Sequence, residues 1–293
     1  MKPLRFLALV GVSAALLGGC AVLDEKQRAW IFQPSDRSWG NTGQLAQGME
    51  DVWIGFHSKV TQQPVKLHAL WHPAEASQAA TSNPAAPLAP VMLYLHGARW
   101  NVEGSANRMR RMQELGFSVL AIDYRGFGKT SSELPSEEMA YEDARAAWDW
   151  LKAKYPTRQR YIFGHSLGSA IGIELAAQVD DEQGTIVEGA FTSIPDVFST
   201  FKWGWLPVKS LITQRFDAVS KVAHIGSPLL VVHGADDGTI HPELGRKLFE
   251  AAKEPKAFVL VEGGSHFSTN TVGQQQYRVA LAQLFKSGPF VRQ

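Results

Sequence analysis

The sequence predicts an α/β chain built on a mostly parallel sheet with helices on both faces, and two observations carry that prediction. Six short apolar runs, at 91–95, 118–122, 160–163, 185–191, 228–232 and 258–261, show no polar alternation, as suits strands covered on both sides. Helix-length stretches lie among them at 104–115, 137–154, 167–178, 242–253 and 272–286. Strand and helix in alternation imply right-handed crossovers, which put helices on both faces of one sheet. The composition agrees: 293 residues, 45% hydrophobic and 19% charged, supply a large core and exclude disorder. With 29 basic and 28 acidic residues and no long run of Lys or Arg, no nucleic-acid partner is expected.

The chain opens MKPLRFLALVGVSAALLGGC, with Lys2 and Arg5, an apolar run from Phe6 to Leu17, and small residues up to Cys20. That run is too short to cross a bilayer, which takes roughly 20 residues, so residues 1–19 are expected to be a signal peptide. Leu17-Gly18-Gly19-Cys20 resembles the bacterial lipobox, where cleavage precedes a cysteine that is then acylated. Cys20 is the only cysteine, so no internal disulfide forms, and a stray thiol would be a liability in an oxidising compartment. Lipidation at Cys20 implies a membrane partner through the N-terminal lipid, each buried methylene contributing about 0.8 kcal/mol. The expected location is the bacterial cell envelope; by resemblance to enterobacterial sorting, Ala21 after the cysteine implies the outer membrane, facing the periplasm. The plainer alternative is an ordinary cleaved signal with a coincidental cysteine.

Residues 20–47 carry Pro, Gly and Ser with little periodicity and are expected to be a surface tether, leaving 48–293 as the folded domain. DVWIGFHS and VKLHALWHP alternate in character around a Thr-Gln-Gln-Pro turn and predict an antiparallel pair of N-terminal strands. Residues 73–90, rich in Ala, Pro, Ser and Asn, predict a low-complexity surface loop. Pro135-Ser136-Glu137-Glu138 gives the helix at 137–154 a capping start. The stretch 194–224, with Phe198, Phe201, Trp203, Trp205 and Phe216, is too short for a domain and too apolar for a plain loop, and is expected to form a small lid.

Gly164-His165-Ser166-Leu167-Gly168 falls where strand RYIF meets the next helix. A sharp turn there lifts a serine hydroxyl above the sheet, and flanking side chains would collide with strand and helix. The helix N-terminus adds a positive partial charge beside Ser166. A serine hydroxyl needs a histidine base held by a carboxylate, and in this architecture the order is Ser, acid, His. Of the later histidines, His224 precedes any acid at a late strand end, His233 lies inside the turn after PLLVV, and His241 abuts Pro242. His266, in Gly263-Gly264-Ser265-His266 after strand FVLV, sits in a loop flexible enough to return an imidazole over the serine. The preceding strand ends at two neighbouring acids, Asp236 and Asp237, which periodicity alone does not separate. An oxyanion hole is expected from the amides of Leu167 and of Ala98, in the loop His96-Gly97-Ala98-Arg99-Trp100-Asn101. Arg99 and Trp100 read equally well as substrate contacts or as a stacked pair at the rim. The sequence has no Cys pair, no HExxH and no dinucleotide glycine loop, so no metal and no cofactor are expected.

Taken as an ordered set, LYLHG at 93–97, DYRGFGKT at 123–130, PSEE at 135–138 with DARAAWDWL at 143–151, GHSLGSA at 164–170, FTSIPD at 191–196, HGADDGTI at 233–240 and GGSH at 263–266 resemble the α/β-hydrolase superfamily. The chain is similar to its small-lid group, which includes the eukaryotic α/β-hydrolase-domain depalmitoylases. The resemblance implies the α/β-hydrolase fold, and its G-x-x-D-x-x-[IV] pattern falls on Gly234, Asp237 and Ile240, making Asp237 the acid. It implies a catalytic set of Ser166, Asp237 and His266 acting on a small-molecule ester or acyl substrate, with palmitate-like chains in view. Two departures alter the pocket rim: Ala98-Arg99-Trp100 replaces an Asn- and Gly-rich stretch, and Phe267 replaces an Asn or Asp after the final His. The expected activity is hydrolysis of carboxylic esters or thioesters through an acyl-enzyme; a peptidase or amidase on the same triad, or a non-catalytic envelope lipoprotein, are the alternatives.

Overall fold

A computed structural model of the chain describes residues 19–35, 42–74, 88–202, 204–207 and 209–285. Eight strands form one sheet in the order β1-β2-β4-β3-β5-β6-β7-β8. β1 (Glu50–His57) and β2 (Pro64–His72) pair antiparallel, β2 joins β4 (Ser118–Ile122) antiparallel, and every other pair is parallel. The parallel strands β3 (Val91–Leu95), β4, β5 (Arg160–His165), β6 (Gly184–Glu188) and β7 (Leu229–Gly234) are buried along their whole length. β8 (Lys256–Val261) closes the far edge and is half-buried.

Alternation along each strand divides the core in two. Val91, Leu93 and Leu95 of β3 join one cluster, while Met92 and Tyr94 join the other. The first is covered by α4 (Glu137–Lys154), α5 (Leu167–Ala176) and α7 (Pro242–Ala251), through Trp148, Ile171 and Leu248 among others. The second is covered by α3 (Ala106–Glu114) and α9 (Gln274–Leu284), through Met109, Met112, Tyr277 and Leu281. The two-faced arrangement follows the sequence, and Ser136 caps α4 by accepting from the Met139 amide at 3.2 Å.

Several boundaries move for local reasons. β5 runs two residues further than expected, to His165, and carries the chain straight to Ser166. β6 stops at Glu188 because Gly189 turns with φ of 60°. The helix expected at 272–286 is two pieces, α8 (Thr269–Val272) and α9, parted at Gly273. The lid expected at 194–224 holds a short helix α6 (Ile194–Ser199) and two 3-10 turns, Lys209–Leu211 and Val222–His224. Residues 1–18 and most of the loop expected at 73–90 lie outside the described residues.

The tether expected over 20–47 is corrected by a helix, α1, at 19–32, and a short α2 (Thr42–Leu45). The inward stripe of α1 is Asp24, Gln27, Arg28 and Ile31, a polar face that leaves no hydrophobic periodicity for the sequence to show. Asp24 accepts from the Thr213 hydroxyl at 2.7 Å, Gln27 donates to the Leu211 carbonyl at 2.7 Å, and Arg28 donates to the carbonyls of Leu134 and Pro135. Phe32, fully buried, packs edge-on against Phe127 and Phe216.

Candidate active site

The turn at Ser166 is forced by its neighbours. Ser166 adopts φ 55° and ψ −122°, a region that costs an ordinary residue of order 1–3 kcal/mol. The crowding around it admits no side chain at either flanking glycine: a Cβ on Gly164 would lie 2.2 Å from the Gly168 carbonyl oxygen, and one on Gly168 2.1 Å from that of Leu95. The Ser166 amide donates to the Glu188 carbonyl at 2.9 Å, tying the turn to β6. Ser166 therefore stands at the C-terminal edge of the sheet with α5 beginning at the next residue.

The loop after β8 brings His266 to it. His266 Nε2 lies 2.9 Å from Ser166 Oγ, and His266 Nδ1 lies 2.8 Å from Asp237 Oδ2. His266 and Asp237 are both buried, whereas Asp236 is exposed. Asp237 Oδ1 accepts from the amides of Thr239 and Ile240 at 2.9 and 2.8 Å, so both carboxylate oxygens are held. Burial alone would raise the Asp237 pKa; hydrogen bonds from His233 and His266 outweigh it and hold the group well below the usual carboxylate range. An ionised Asp237 keeps the His266 proton on Nδ1 and leaves Nε2 to accept from the serine.

Ala98 and Leu167 border the same cavity as Ser166 and His266. Among the described residues neither of their amides has a hydrogen-bond partner, which leaves two donors for a developing oxyanion. The Ala98 loop is bent by consecutive left-handed residues, Arg99 (φ 68°) and Trp100 (φ 60°), and the Arg99 amide donates to the Phe32 carbonyl at 2.9 Å. Arg99 Nε donates to Gln33 Oε1 at 2.9 Å, and both Arg99 and Trp100 line the cavity. His96 packs against Tyr124 and Phe127, and its Nδ1 lies 2.6 Å from the Gly97 carbonyl oxygen. Cys20, exposed near the start of α1, does not line this cavity.

A layer beneath the triad has no counterpart in the sequence reading. Arg108, from α3, donates through Nη2 to the carbonyls of His266 and Phe267 at 3.0 and 3.3 Å, and through Nε to Glu188 Oε1 at 2.8 Å. Tyr277 donates to the other oxygen of Glu188. Burial, then Arg108 and His266, push the His165 pKa far down, so its neutral ring accepts from Arg108 at 3.1 Å. His233 Nε2, 2.9 Å from the Ile240 carbonyl and 3.4 Å from Asp237, supports the acid in the same way. His165 and His233 lie inside motifs the sequence displays; Arg108, Glu188 and Tyr277 are gathered from separate elements.

The cavity above Ser166 is about 710 Å³, a size that encloses a drug-like or acyl ligand. Ile194, Val197, Phe198 and Phe201 of the lid, with Trp30 and Phe267, contribute to its apolar wall. Among the described residues no Asp or Glu lines it, while Arg99 and Arg108 do.

A family profile described as serine aminopeptidase, S33, matches residues 86–218, which contain Ser166 but stop short of Asp237 and His266. An uncharacterized protein of Mycobacterium tuberculosis is 29% identical over 270 residues, 91% of this chain and 90% of its own length. The lysophosphatidylserine lipase ABHD12 of Danio rerio is 32% identical over 188 residues; the match covers 57% of this chain and about half, 48%, of the lipase. Among solved structures, the Pyrococcus furiosus esterase Pf2001 aligns with a TM-score of 0.63 at 18% identity over 86% of this chain and 98% of its own. The enzyme Est1E of Butyrivibrio proteoclasticus, solved with ferulic acid, aligns with a TM-score of 0.63 at 19% identity over 80% of this chain and 100% of its own. Those two likenesses are likenesses of fold. With that fold, the family profile over residues 86–218 and the lipase relatives support a hydrolase enzyme.

Proposed function

We propose that the chain cleaves carboxylic esters or thioesters through an acyl-enzyme on Ser166. The observation that carries this reading is the continuous pair of contacts, Asp237 to His266 at 2.8 Å and His266 to Ser166 at 2.9 Å, at the floor of an apolar cavity. In the first step Ser166 Oγ attacks the carbonyl carbon while its proton passes to His266 Nε2, and the oxygen that becomes negative faces the amides of Ala98 and Leu167. Collapse breaks the bond to the alcohol or thiol, which leaves with the proton from His266. Water, deprotonated by the same imidazole, then attacks the acyl-serine, and the acid departs with Ser166 restored.

The profile's aminopeptidase description raises a second reading, and the charge of the cavity disfavours it. An aminopeptidase must hold a substrate ammonium group, and among the described residues the cavity lining has no carboxylate; of its two arginines, Arg108 is paired with Glu188 beneath and Arg99 is held by Gln33 at the rim. A neutral or anionic acyl substrate suits that wall better.

A fluorophosphonate reagent is expected to label Ser166, and Ser166→Ala is expected to lower p-nitrophenyl ester turnover by roughly four to six orders of magnitude with the circular dichroism unchanged. Full turnover in that variant, or labelling elsewhere, rejects the assignment. A matched ester and anilide pair separates esterase from amidase. We also infer that Cys20 is acylated and that the protein sits in the envelope by that lipid; the mass of the mature N-terminal peptide tests this, and an unmodified Cys20 in that peptide overturns it.

A further inference from the structure

We propose that the face formed by α1 and the lid docks on a bilayer containing anionic lipid, so that a long-chain acyl ester passes from the membrane directly into the cavity; the substrate half of this proposal rests on the hydrolase reading above. The first observation is the inverted character of α1. Its polar residues Asp24, Gln27 and Arg28 face the protein together with Ile31 and Phe32 at its C-terminal end, while three large apolar residues face water: Val22 is 56%, Leu23 41% and Trp30 52% exposed. A surface helix normally turns the other way.

The lid continues the same surface. Phe201 meets Trp30 edge-on at 6.5 Å, and Gln27 donates to the Leu211 carbonyl, so helix and lid are joined. Trp205 is 73% and Leu211 55% exposed, and Phe267, which lines the cavity, is exposed as well. Trp30, Phe201 and Phe267 line the cavity and open to solvent at once, which places the apolar surface around its mouth. Exposed apolar surface of this extent marks an interaction site. Tryptophan, with an apolar body and one N–H, is the side chain favoured at the membrane–water boundary.

Charge bears on the occupant. Along the lid Lys202, Lys209 and Arg215 stand against Asp196 and Asp217, with Asp196 facing Lys209 at 3.7 Å, and on the exposed side of α1 Lys26 offsets Glu25. Basic side chains among exposed aromatics fit an anionic lipid surface. Ten residues of helix separate Cys20 from Trp30, about 15 Å. A membrane attachment at or before Cys20 therefore brings the cavity mouth to the bilayer.

The test is amide hydrogen exchange on the full chain with vesicles of phosphatidylcholine and phosphatidylglycerol. Amides in 22–32 and 198–213 are expected to slow severalfold on vesicle binding, and the slowing is expected to weaken at high salt. If the chain sediments with the vesicles while those amides exchange as in solution, attachment is by the N-terminus alone and the proposal is overturned. Protection by a soluble protein but not by vesicles overturns it as well. Trp205→Ser with Leu211→Ser, both outside the cavity lining, is expected to lower turnover on a vesicle-embedded long-chain ester about tenfold and to leave a soluble acetate ester unaffected. Equal turnover on both substrates counts against delivery from the membrane. The exchange measurement needs no turnover, so it reads the docking even if Ser166 proves not to be the nucleophile.

Discussion

Asp236 and Asp237 differ by one position and by everything that matters to catalysis. One is exposed; the other is buried, accepts two amides and holds the His266 ring. Asp237→Asn is expected to lower kcat by about 10⁴-fold, because an amide presents the imidazole with the wrong tautomer. Asp236→Asn is expected to leave kcat within about twofold, as surface substitutions usually do. The sign of the pH effect follows from the depressed pKa of Asp237: the folded state holds its proton less tightly than the unfolded chain. Ionised Asp237 therefore stabilises the fold at pH above about 4, the unfolded carboxyl value, and that contribution is lost as pH falls through the folded value. Thermal unfolding measured from pH 6 to pH 3 should fall more steeply for the wild type than for Asp237→Asn. Equal slopes would mean that this carboxylate is not held as described. Periodicity left the choice between the two acids open; the family pattern chose, and the burial difference explains why.

At the scale of elements, what the sequence revealed is what lies close along the chain. The strand runs, the capping serine at 136 and the turn at Ser166 each depend on residues a few positions apart. The turn rests on Gly164 and Gly168, where an added methyl meets backbone at 2.2 and 2.1 Å. Gly164→Ala is expected to lower stability by about 3 kcal/mol or more, since neither strand nor helix can yield. Gly172→Ala, one turn further along α5, is the control: its nearest neighbour is the Ile162 methyl Cγ2 at 3.1 Å, a tight side-chain contact and not a clash with backbone. Alanine also favours helix by about 1 kcal/mol over glycine, so this variant should unfold within about 1 kcal/mol of wild type. Urea unfolding of the two variants decides it. Hidden from sequence were the parts assembled from distant elements. Arg108 on α3, Glu188 at the end of β6 and Tyr277 on α9 meet under His266 without any local pattern. Arg125 and Asp143 show the same limit, since their motifs were each legible and their 2.8 Å buried pairing was not.

Across the whole molecule, α1 connects the chain's N-terminal side to the chemistry. Phe32 fills a slot between Phe127, in the turn after β4, and Phe216, within the lid, and its carbonyl receives the Arg99 amide next to Ala98. One residue thus binds the N-terminal helix, the lid and the loop expected to hold the oxyanion. Truncating a fully buried Phe to Ala costs about 3–5 kcal/mol through lost burial and the cavity left behind. Phe32→Ala should lose that stability, and it should also lower kcat on a soluble ester at temperatures far below its unfolding midpoint. The second effect is the discriminating one: with the side chain gone the Phe32 backbone is freer to move, and the two left-handed residues Arg99 and Trp100 lose the bond that steadies them. Binding of a substrate analogue should change less than kcat, since the amides act where charge develops and not on the resting carbonyl. If kcat at low temperature equals the wild-type value while the midpoint falls, α1 stabilises the fold without holding the site, and the loop at Ala98 keeps its shape by its own backbone.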